Sequence, residues 1–181
     1  MPIEIEKKYR LTRKLRQSIE RRLRELGAAP QPIEFEENTL YRGGRLNKGN
    51  CALRLRRVNR HAILTFKLRF PTSSPIKHQQ EEETMVADAD ATHAILTALG
   101  FVPGLVYEKR RTRWDVGKAK VLIDELPFGL FMEIEAAEKE IKRVEKLLAV
   151  EDVPAVMETY PSLTAKLGKN RNGIVEARFK S

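Results

Sequence analysis

The chain has 181 residues, of which 41% are hydrophobic and 33% charged, and its net charge is +9. This length suits one domain, residues 1–181, and the single cysteine, Cys51, excludes an internal disulfide. No apolar run approaches the roughly 18 residues of a membrane-spanning helix. Glu4 and Glu6 stand where a signal peptide would be apolar, so we expect a cytoplasmic protein that does not enter a membrane.

Alternation of apolar and polar residues predicts eight strands, and helical periodicity predicts helices between them. The predicted strands cover residues 1–11, 35–42, 51–58, 61–70, 79–86, 105–115, 118–125 and 131–136. Sequential antiparallel hairpins favour a meandering sheet, either open or closed into a barrel.

Three helices are predicted, over residues 12–26, 91–99 and 139–150, with one or two short helices within 153–168. Thr12 is the expected N-cap of the first helix. The second helix is expected to bury Ile95, Leu96 and Leu99. The basic tail from Lys169 forms either a last strand or a mobile end.

Charged residues recur at i, i+2 spacing on the polar face of strand after strand. The aligned residues are Glu4, Glu6 and Lys8; Arg54 and Arg56; Thr65, Lys67 and Arg69; Gln79, Glu81 and Glu83; Lys109, Arg111 and Arg113; Asp124; and Glu133 and Glu135. Any one such pair is typical of a solvated face. As a set they favour a different interpretation, because helices covering the apolar faces from outside would leave the charged faces pointing into a barrel.

A barrel interior with both signs of charge has a clear chemical use. Carboxylate oxygens are the ligands that hard divalent cations such as Mg²⁺ prefer, and Lys and Arg bind phosphate oxygens. A cation and basic side chains arranged around phosphates are what phosphoryl transfer needs.

The series of motifs resembles the CYTH domain, also called the triphosphate tunnel metalloenzyme family. Glu4-x-Glu6-x-Lys8 is similar to the family's ExExK signature, and the later motifs follow in the family's order through Glu133-x-Glu135. The resemblance implies an α+β fold: an eight-stranded antiparallel β-barrel that forms a tunnel open at both ends, with helices packed outside. The sequence departs from the family pattern before Glu81-x-Glu83, where many relatives have a basic residue and this chain has Gln79 and Gln80.

The resemblance also implies a role for each motif. It implies a Mg²⁺ or Mn²⁺ site of carboxylates: Glu4, Glu6, Glu133 and Glu135, supported by Asp124, Glu81 and Glu83. It implies triphosphate binding by basic residues: Lys8, Arg54, Arg56, Lys67, Lys109 and Arg111, with Arg69 and Arg113 on the same inward faces. Glu4, Glu6 and Lys8 are the implied catalytic residues. Tyr160 and Lys166 are further candidates in a loosely matching C-terminal motif.

Two activities fit this set of residues. The first is hydrolysis of a triphosphate-containing substrate, such as inorganic triphosphate, thiamine triphosphate or a nucleotide. The alternative is a class IV adenylyl cyclase, which converts ATP to cyclic AMP and pyrophosphate. The motif residues of these two activities are nearly the same, so they do not distinguish hydrolysis from cyclisation.

A third hypothesis, a barrel that binds single-stranded nucleic acid, is disfavoured. Such surfaces combine cations with exposed aromatic rings, whereas aromatic residues make up only 7% of this chain. We therefore expect a small-molecule triphosphate as partner, no stable complex with nucleic acid, no membrane, and a monomer or homodimer.

Overall fold

A computed structural model describes residues 3–59, 61–71 and 73–180, so Met1 and Pro2 of the predicted first strand lie outside the described residues. The strands are β1 (Ile3–Leu11), β2 (Glu34–Arg42), β3 (Cys51–Val58), β4 (His61–Arg69), β5 (Lys77–Val86), β6 (Val102–Val116), β7 (Ala119–Leu126), β8 (Gly129–Glu135), β9 (Lys169–Arg171) and β10 (Ile174–Ala177). The helices are α1 (Arg13–Glu25), α2 (Ala89–Ala98), α3 (Glu138–Leu148) and α4 (Tyr160–Leu167). A short 3₁₀ helix, Gly44–Lys48, lies between β2 and β3.

The first eight strands form a closed antiparallel barrel. Their order is β2-β3-β4-β5-β1-β8-β7-β6, and β6 pairs with β2 to close the cylinder. This confirms the predicted eight-stranded barrel and the predicted order of elements. β10 pairs in parallel with β6 at Leu105–Tyr107, and β9 pairs with β10, so the basic tail forms a hairpin outside the barrel.

The main hydrophobic core lies between the barrel's outer surface and helices α1 and α3. Ile19 and Leu23 of α1 and Ile141 and Val144 of α3 are fully buried there. Thr12 caps α1 as predicted, because its hydroxyl accepts a hydrogen bond from the backbone N–H of Leu15 at 3.1 Å. With the apolar faces covered from outside, the charged faces of the strands point into the barrel.

Helix α2 differs from its prediction. Leu96 is buried against β2–β4, but Ile95 and Leu99 are 60% and 69% exposed, so the expectation that all three are buried is wrong. The reason is that α2 packs with one side on β2, β3 and β4, and among the described residues no helix packs extensively on its other side.

Helix α4 begins at Thr159, whose hydroxyl accepts from the backbone N–H of Ser162, and ends at Gly168. At Gly168 the chain passes close to β10. A Cβ at this position would lie 2.6 Å from the carbonyl oxygen of Thr164 and 2.8 Å from that of Glu176. Only glycine fits there without a backbone shift.

Gly168→Ala is therefore expected to lower the free energy of unfolding by about 1–3 kcal/mol, the usual cost of overpacking. Urea denaturation measures it. Gly104→Ala is the control, because its Cβ would meet only the flexible side chain of Arg42. Equal stability of the two variants would contradict the tight approach of α4 to β10.

Candidate active site

The barrel interior holds a cavity of about 870 Å³ lined by charged side chains from all eight strands. Strand register brings the charges to neighbouring positions: Lys8 lies opposite Glu133, and Glu6 lies opposite Glu135 on one side and Lys77 on the other. Side chains two residues apart share a face of a strand, so each i, i+2 motif contributes a row to the wall.

Three carboxylates of this wall come together. Oxygen atoms of Glu4, Glu6 and Glu135 all lie within 4.8 Å of one another. The pKa of Glu135 is raised to about 7. Burial is the largest cause, and the neighbouring carboxylates of Glu4, Glu133 and Glu6 add to it, whereas Arg111 opposes it. Burial and the adjacent Glu81 likewise raise the pKa of Glu4, with Lys67 opposing.

This cluster fits a hard divalent cation. Such ions take oxygen ligands, and crowded carboxylates whose negative charge is disfavoured are stabilised when a cation lies between them. Glu4 is held in place by Lys67, whose Nζ is 2.7 Å from Oε2, and by Gln79, whose amide donates to the same oxygen at 2.6 Å. These contacts orient one ligand of the cluster.

The wall formed by β3, β4 and β5 carries cationic groups with unused donors. Four donor atoms of this wall are buried and have no hydrogen-bond partner among the described residues: Nε of Arg54, Arg56 and Arg69, and Nζ of Lys77. Burial, followed by the Arg54 guanidinium, lowers the pKa of Arg56, although Glu36 opposes this. A bound anion would satisfy these donors and relieve the repulsion between the guanidinium groups.

The opposite wall is a closed network of ion pairs. Arg111 donates to Asp124 through Nε and Nη2 at 2.7 and 2.6 Å, and through Nη2 to Glu133 at 2.6 Å. Lys109 lies 3.1 Å from Glu36, and Lys8 lies 3.1 Å from Glu133. The cations of this wall therefore already have anionic partners.

Glu36 anchors that network and is fully buried. Burial alone would raise the pKa of Glu36, but Lys109, Arg56 and Arg111 outweigh it and hold that pKa well below its ordinary value. Glu133 behaves in the same way, because Lys8, Arg111 and Lys109 lower its pKa against the effect of burial.

Helix α4 packs against β6 and β10, and its first residue, Tyr160, lines the cavity. Tyr160, 5% exposed, reaches inward, and its hydroxyl donates to Oδ2 of Asp124 at 2.7 Å. The ammonium group of Lys8 lies 3.8 Å from the centre of the Tyr160 ring. Tyr160 therefore contacts an acidic and a basic residue of the cavity wall.

The predicted metal residues divide into three groups in the structure. Glu4, Glu6 and Glu135 form the carboxylate cluster. Glu81 lies 2.9 Å from Lys67, and Glu83, which is 41% exposed, accepts from the hydroxyl of Thr65. Asp124 and Glu133 belong to the ion-pair network.

Two predicted residues lie away from the centre of the cavity. Arg113 is 41% exposed and pairs with Asp115 at 3.0 Å. Lys166 pairs with Glu158 on the surface and is 62% exposed.

A profile of the CYTH domain matches residues 2–153 of the sequence. The chain belongs to the CYTH family. The matched region contains all eight barrel strands and ends before α4, so Tyr160 and the β9–β10 hairpin lie outside it.

Solved structures share this CYTH fold. PH1012 from Pyrococcus horikoshii is 23% identical, with a TM-score of 0.78 over 88% of this chain and 98% of that one. PH1819 from the same organism is 23% identical, with a TM-score of 0.70 over 90% and 98% of the two chains. HpAC1 from Hippeastrum, described as having a dominant triphosphatase activity, is 20% identical, with a TM-score of 0.67 over 87% and 92%. No protein of curated function matches the sequence significantly.

Sequence reasoning missed several charged residues of this CYTH barrel: Glu34, Glu82, Lys118 and Lys120, which line the cavity, and Glu36 and Lys77, which pair with its charged side chains. Glu36 belongs to the row Glu34, Glu36 and Asn38 of β2, which has the same i, i+2 spacing as the recognised motifs. Lys77 lies two residues before Gln79 on the inward face of β5, with its Nζ 3.5 Å from Glu6. Lys77 therefore places a cation near the position where Gln79 departs from the family pattern.

Proposed function

We propose that the protein hydrolyses a triphosphate-containing small molecule bound inside the barrel, in a reaction that depends on Mg²⁺ or Mn²⁺. One observation carries this proposal. The same cavity holds a three-carboxylate cluster and, on its β3–β5 wall, buried guanidinium groups with unused donors. A divalent cation would bind the carboxylates, and a polyphosphate would accept hydrogen bonds from the guanidinium groups.

Among triphosphates, we propose that inorganic triphosphate is the preferred substrate. Among the described residues, the only aromatic side chains lining the cavity are Tyr107 and Tyr160, which are 2% and 5% exposed. Their rings lie 6.3 Å apart, packed against each other. Neither offers a free face for stacking a base, which a nucleotide or thiamine site would use.

In the proposed reaction, water attacks the terminal phosphorus, the bond from that phosphorus to its bridging oxygen breaks, and pyrophosphate leaves. Arg54, Arg56 and Arg69 hold the phosphate oxygens, and a carboxylate of the cluster accepts the proton of the attacking water. A Mg²⁺ or Mn²⁺ held by Glu4, Glu6 and Glu135 would supply charge neutralisation of the phosphates. Lys8, 3.1 Å from Glu133, is placed to bind phosphate beside the Tyr160 ring.

Adenylyl cyclase activity is the second candidate. It needs a pocket that fixes adenine and ribose. In the described lining, the aromatic side chains that could stack on adenine are Tyr107 and Tyr160, and these are packed against each other. The same assay tests both activities.

The test incubates the purified protein with Mg²⁺ or Mn²⁺ and, in parallel, inorganic triphosphate, thiamine triphosphate and ATP, and measures phosphate and cyclic AMP. We expect phosphate release, fastest from inorganic triphosphate, and at least about a 10²-fold loss in Glu4→Gln, because a charged group at the reacting centre is removed.

Glu125→Gln is the matched control, since Glu125 lies on β7 with its side chain 40% exposed, and its one ion pair among the described residues is with Arg110. Cyclic AMP formed with equimolar pyrophosphate would make the protein a cyclase. No turnover of any of the three substrates by folded protein would contradict an enzymatic role.

A further inference from the structure

A second cavity lies outside the barrel, between the β7–β8 turn and the C-terminal segment. It has a volume of about 770 Å³, and we call it the C-terminal groove. Its apolar lining includes Pro127, Phe128 and Leu167, and its basic lining includes Lys169, Arg171 and Lys180. The C-terminal residues that line it lie beyond the region matched by the CYTH profile.

The basic side chains of the groove are available for a ligand. Residues 163–180 contain five basic residues and one acidic residue. Arg178 is engaged by Glu37 and Glu108, but Lys169 and Lys180 are exposed and have no ion-pair partner in the part of the chain that the structure describes. Arg171 is 70% exposed, and its single contact with Glu176 is at the outer limit of 4.0 Å.

The groove also exposes apolar surface beside these cations. Leu167, the last residue of α4, is 54% exposed, and Phe128 is half-buried next to the exposed Pro127. An exposed leucine beside several basic side chains fits a ligand that is both apolar and acidic.

A free strand edge borders the groove. β9 is the terminal strand of the sheet, paired on one side with β10, and no strand among the described residues pairs with its other side. Such an edge presents unpaired N–H and C=O groups to which an extended peptide can add.

A nucleic acid fits the groove less well than a peptide. The ring of Phe128 packs edge-on against Phe131, and the ring of Phe179 is covered by the guanidinium of Arg110 at 4.0 Å and lies beside Phe35. Base stacking needs a free aromatic face, which these rings do not offer.

We propose that the C-terminal groove binds an extended acidic peptide segment carrying a large apolar side chain. The peptide pairs with the free edge of β9, its carboxylates contact Lys169, Arg171 and Lys180, and its apolar side chain packs on Leu167. This site is separate from the barrel interior and does not depend on the proposed hydrolysis.

The test measures fluorescence anisotropy of a labelled decapeptide of Asp and Glu with a central Leu. The groove variant combines Lys169→Glu, Arg171→Glu and Lys180→Glu. The control variant makes the same change of charge on α1 and α3, through Arg21→Glu, Lys139→Glu and Lys142→Glu, all at exposed positions. Circular dichroism and triphosphate hydrolysis verify that both variants are folded.

We expect the groove variant to weaken peptide binding at least about tenfold and the control variant less than about twofold, with binding weaker at high salt. Leu167→Ser, or a peptide N-methylated at alternate residues, is expected to weaken binding several-fold. If both charge variants lost peptide affinity equally, the effect would come from the net charge of the protein and the proposal would be overturned. Tighter binding of a ten-nucleotide single strand, lost in the groove variant, would also overturn it.

Discussion

Arg56→Gln is expected to weaken binding of inorganic triphosphate by about 10²–10³-fold, because a bidentate guanidinium–phosphate contact supplies two charge-assisted hydrogen bonds. Arg56 projects into the cavity, and its Nε has no hydrogen-bond partner among the described residues. This Nε lies 3.6 Å from Glu36, beyond hydrogen-bond distance, so we expect its N–H to be available to the substrate. Isothermal titration with inorganic triphosphate measures the change, and hydrolysis is expected to fall in parallel at low substrate concentration.

Arg57→Gln is the matched control, since Arg57 is the next residue of β3 and points outward, 38% exposed, toward Glu37 and Asp90. We expect the triphosphate affinity of this variant to change by less than about threefold, because the charge of Arg57 is far from the cavity and screened by solvent. If both variants lost affinity equally, the anion site would not lie on the inward face of β3.

Glu36→Gln is expected to lower the free energy of unfolding by about 3–5 kcal/mol near neutral pH, because removal of one partner leaves buried charges uncompensated. Glu36 is fully buried, with Lys109 at 3.1 Å and Arg56 at 3.6 Å. Glu37→Gln is the control: Glu37 is the next residue of β2, with its side chain 29% exposed and paired at the surface with Arg57 and Arg178. We expect it to cost at most about 1 kcal/mol.

The effect of Glu36→Gln depends on pH in a defined direction. The folded-state pKa of Glu36 lies below its ordinary value of 4.5. A carboxyl whose pKa is lowered by folding stabilises the protein fully above its unfolded pKa, and this stabilisation is lost as pH falls toward the folded-state pKa. Urea denaturation is therefore expected to show a large difference between wild type and variant near neutral pH, which shrinks below pH 4.5.

The same substitution is expected to strengthen triphosphate binding, since it removes a negative charge from a cavity that receives a polyanion. Added inorganic triphosphate should then raise the unfolding midpoint of Glu36→Gln by more than that of wild type. A variant that is destabilised and also binds triphosphate more weakly would contradict the placement of Glu36 beside the anion site.

The strands and their charged faces could be predicted from the sequence because their signal is local, and the resemblance to the CYTH domain implied that they close into a barrel. Each strand alternates an apolar and a charged face, as at Lys67 between Phe66 and Leu68, and that alternation decides which side of the strand faces the core. Trp114, on the apolar face of β6, accordingly packs outward: its side chain is 1% exposed within the core beneath α1 and α3.

The distribution of charges within the barrel was not predictable in the same way. Glu133 and Glu135 are two residues apart and have the same spacing as any metal-binding pair, yet Glu135 joins the carboxylate cluster while Glu133 pairs with Lys8 and Arg111. Which carboxylate meets a cation depends on strand register, and register is set by pairing between distant segments. Glu36 could have been found from its i, i+2 row, but its partners Lys109 and Arg111 could not.

The sequence by itself determined where the eight strands lie and which face of each carries the charged motifs, because both follow from a period of two along a strand, whereas closure into a barrel was implied by the resemblance to the CYTH domain. The tertiary structure alone decided which cations keep a donor without a hydrogen bond, that α4 brings Tyr160 to the cavity, and that the basic tail folds beside an exposed leucine. These features depend on distances between residues far apart in the chain, and those distances are set only when the barrel closes.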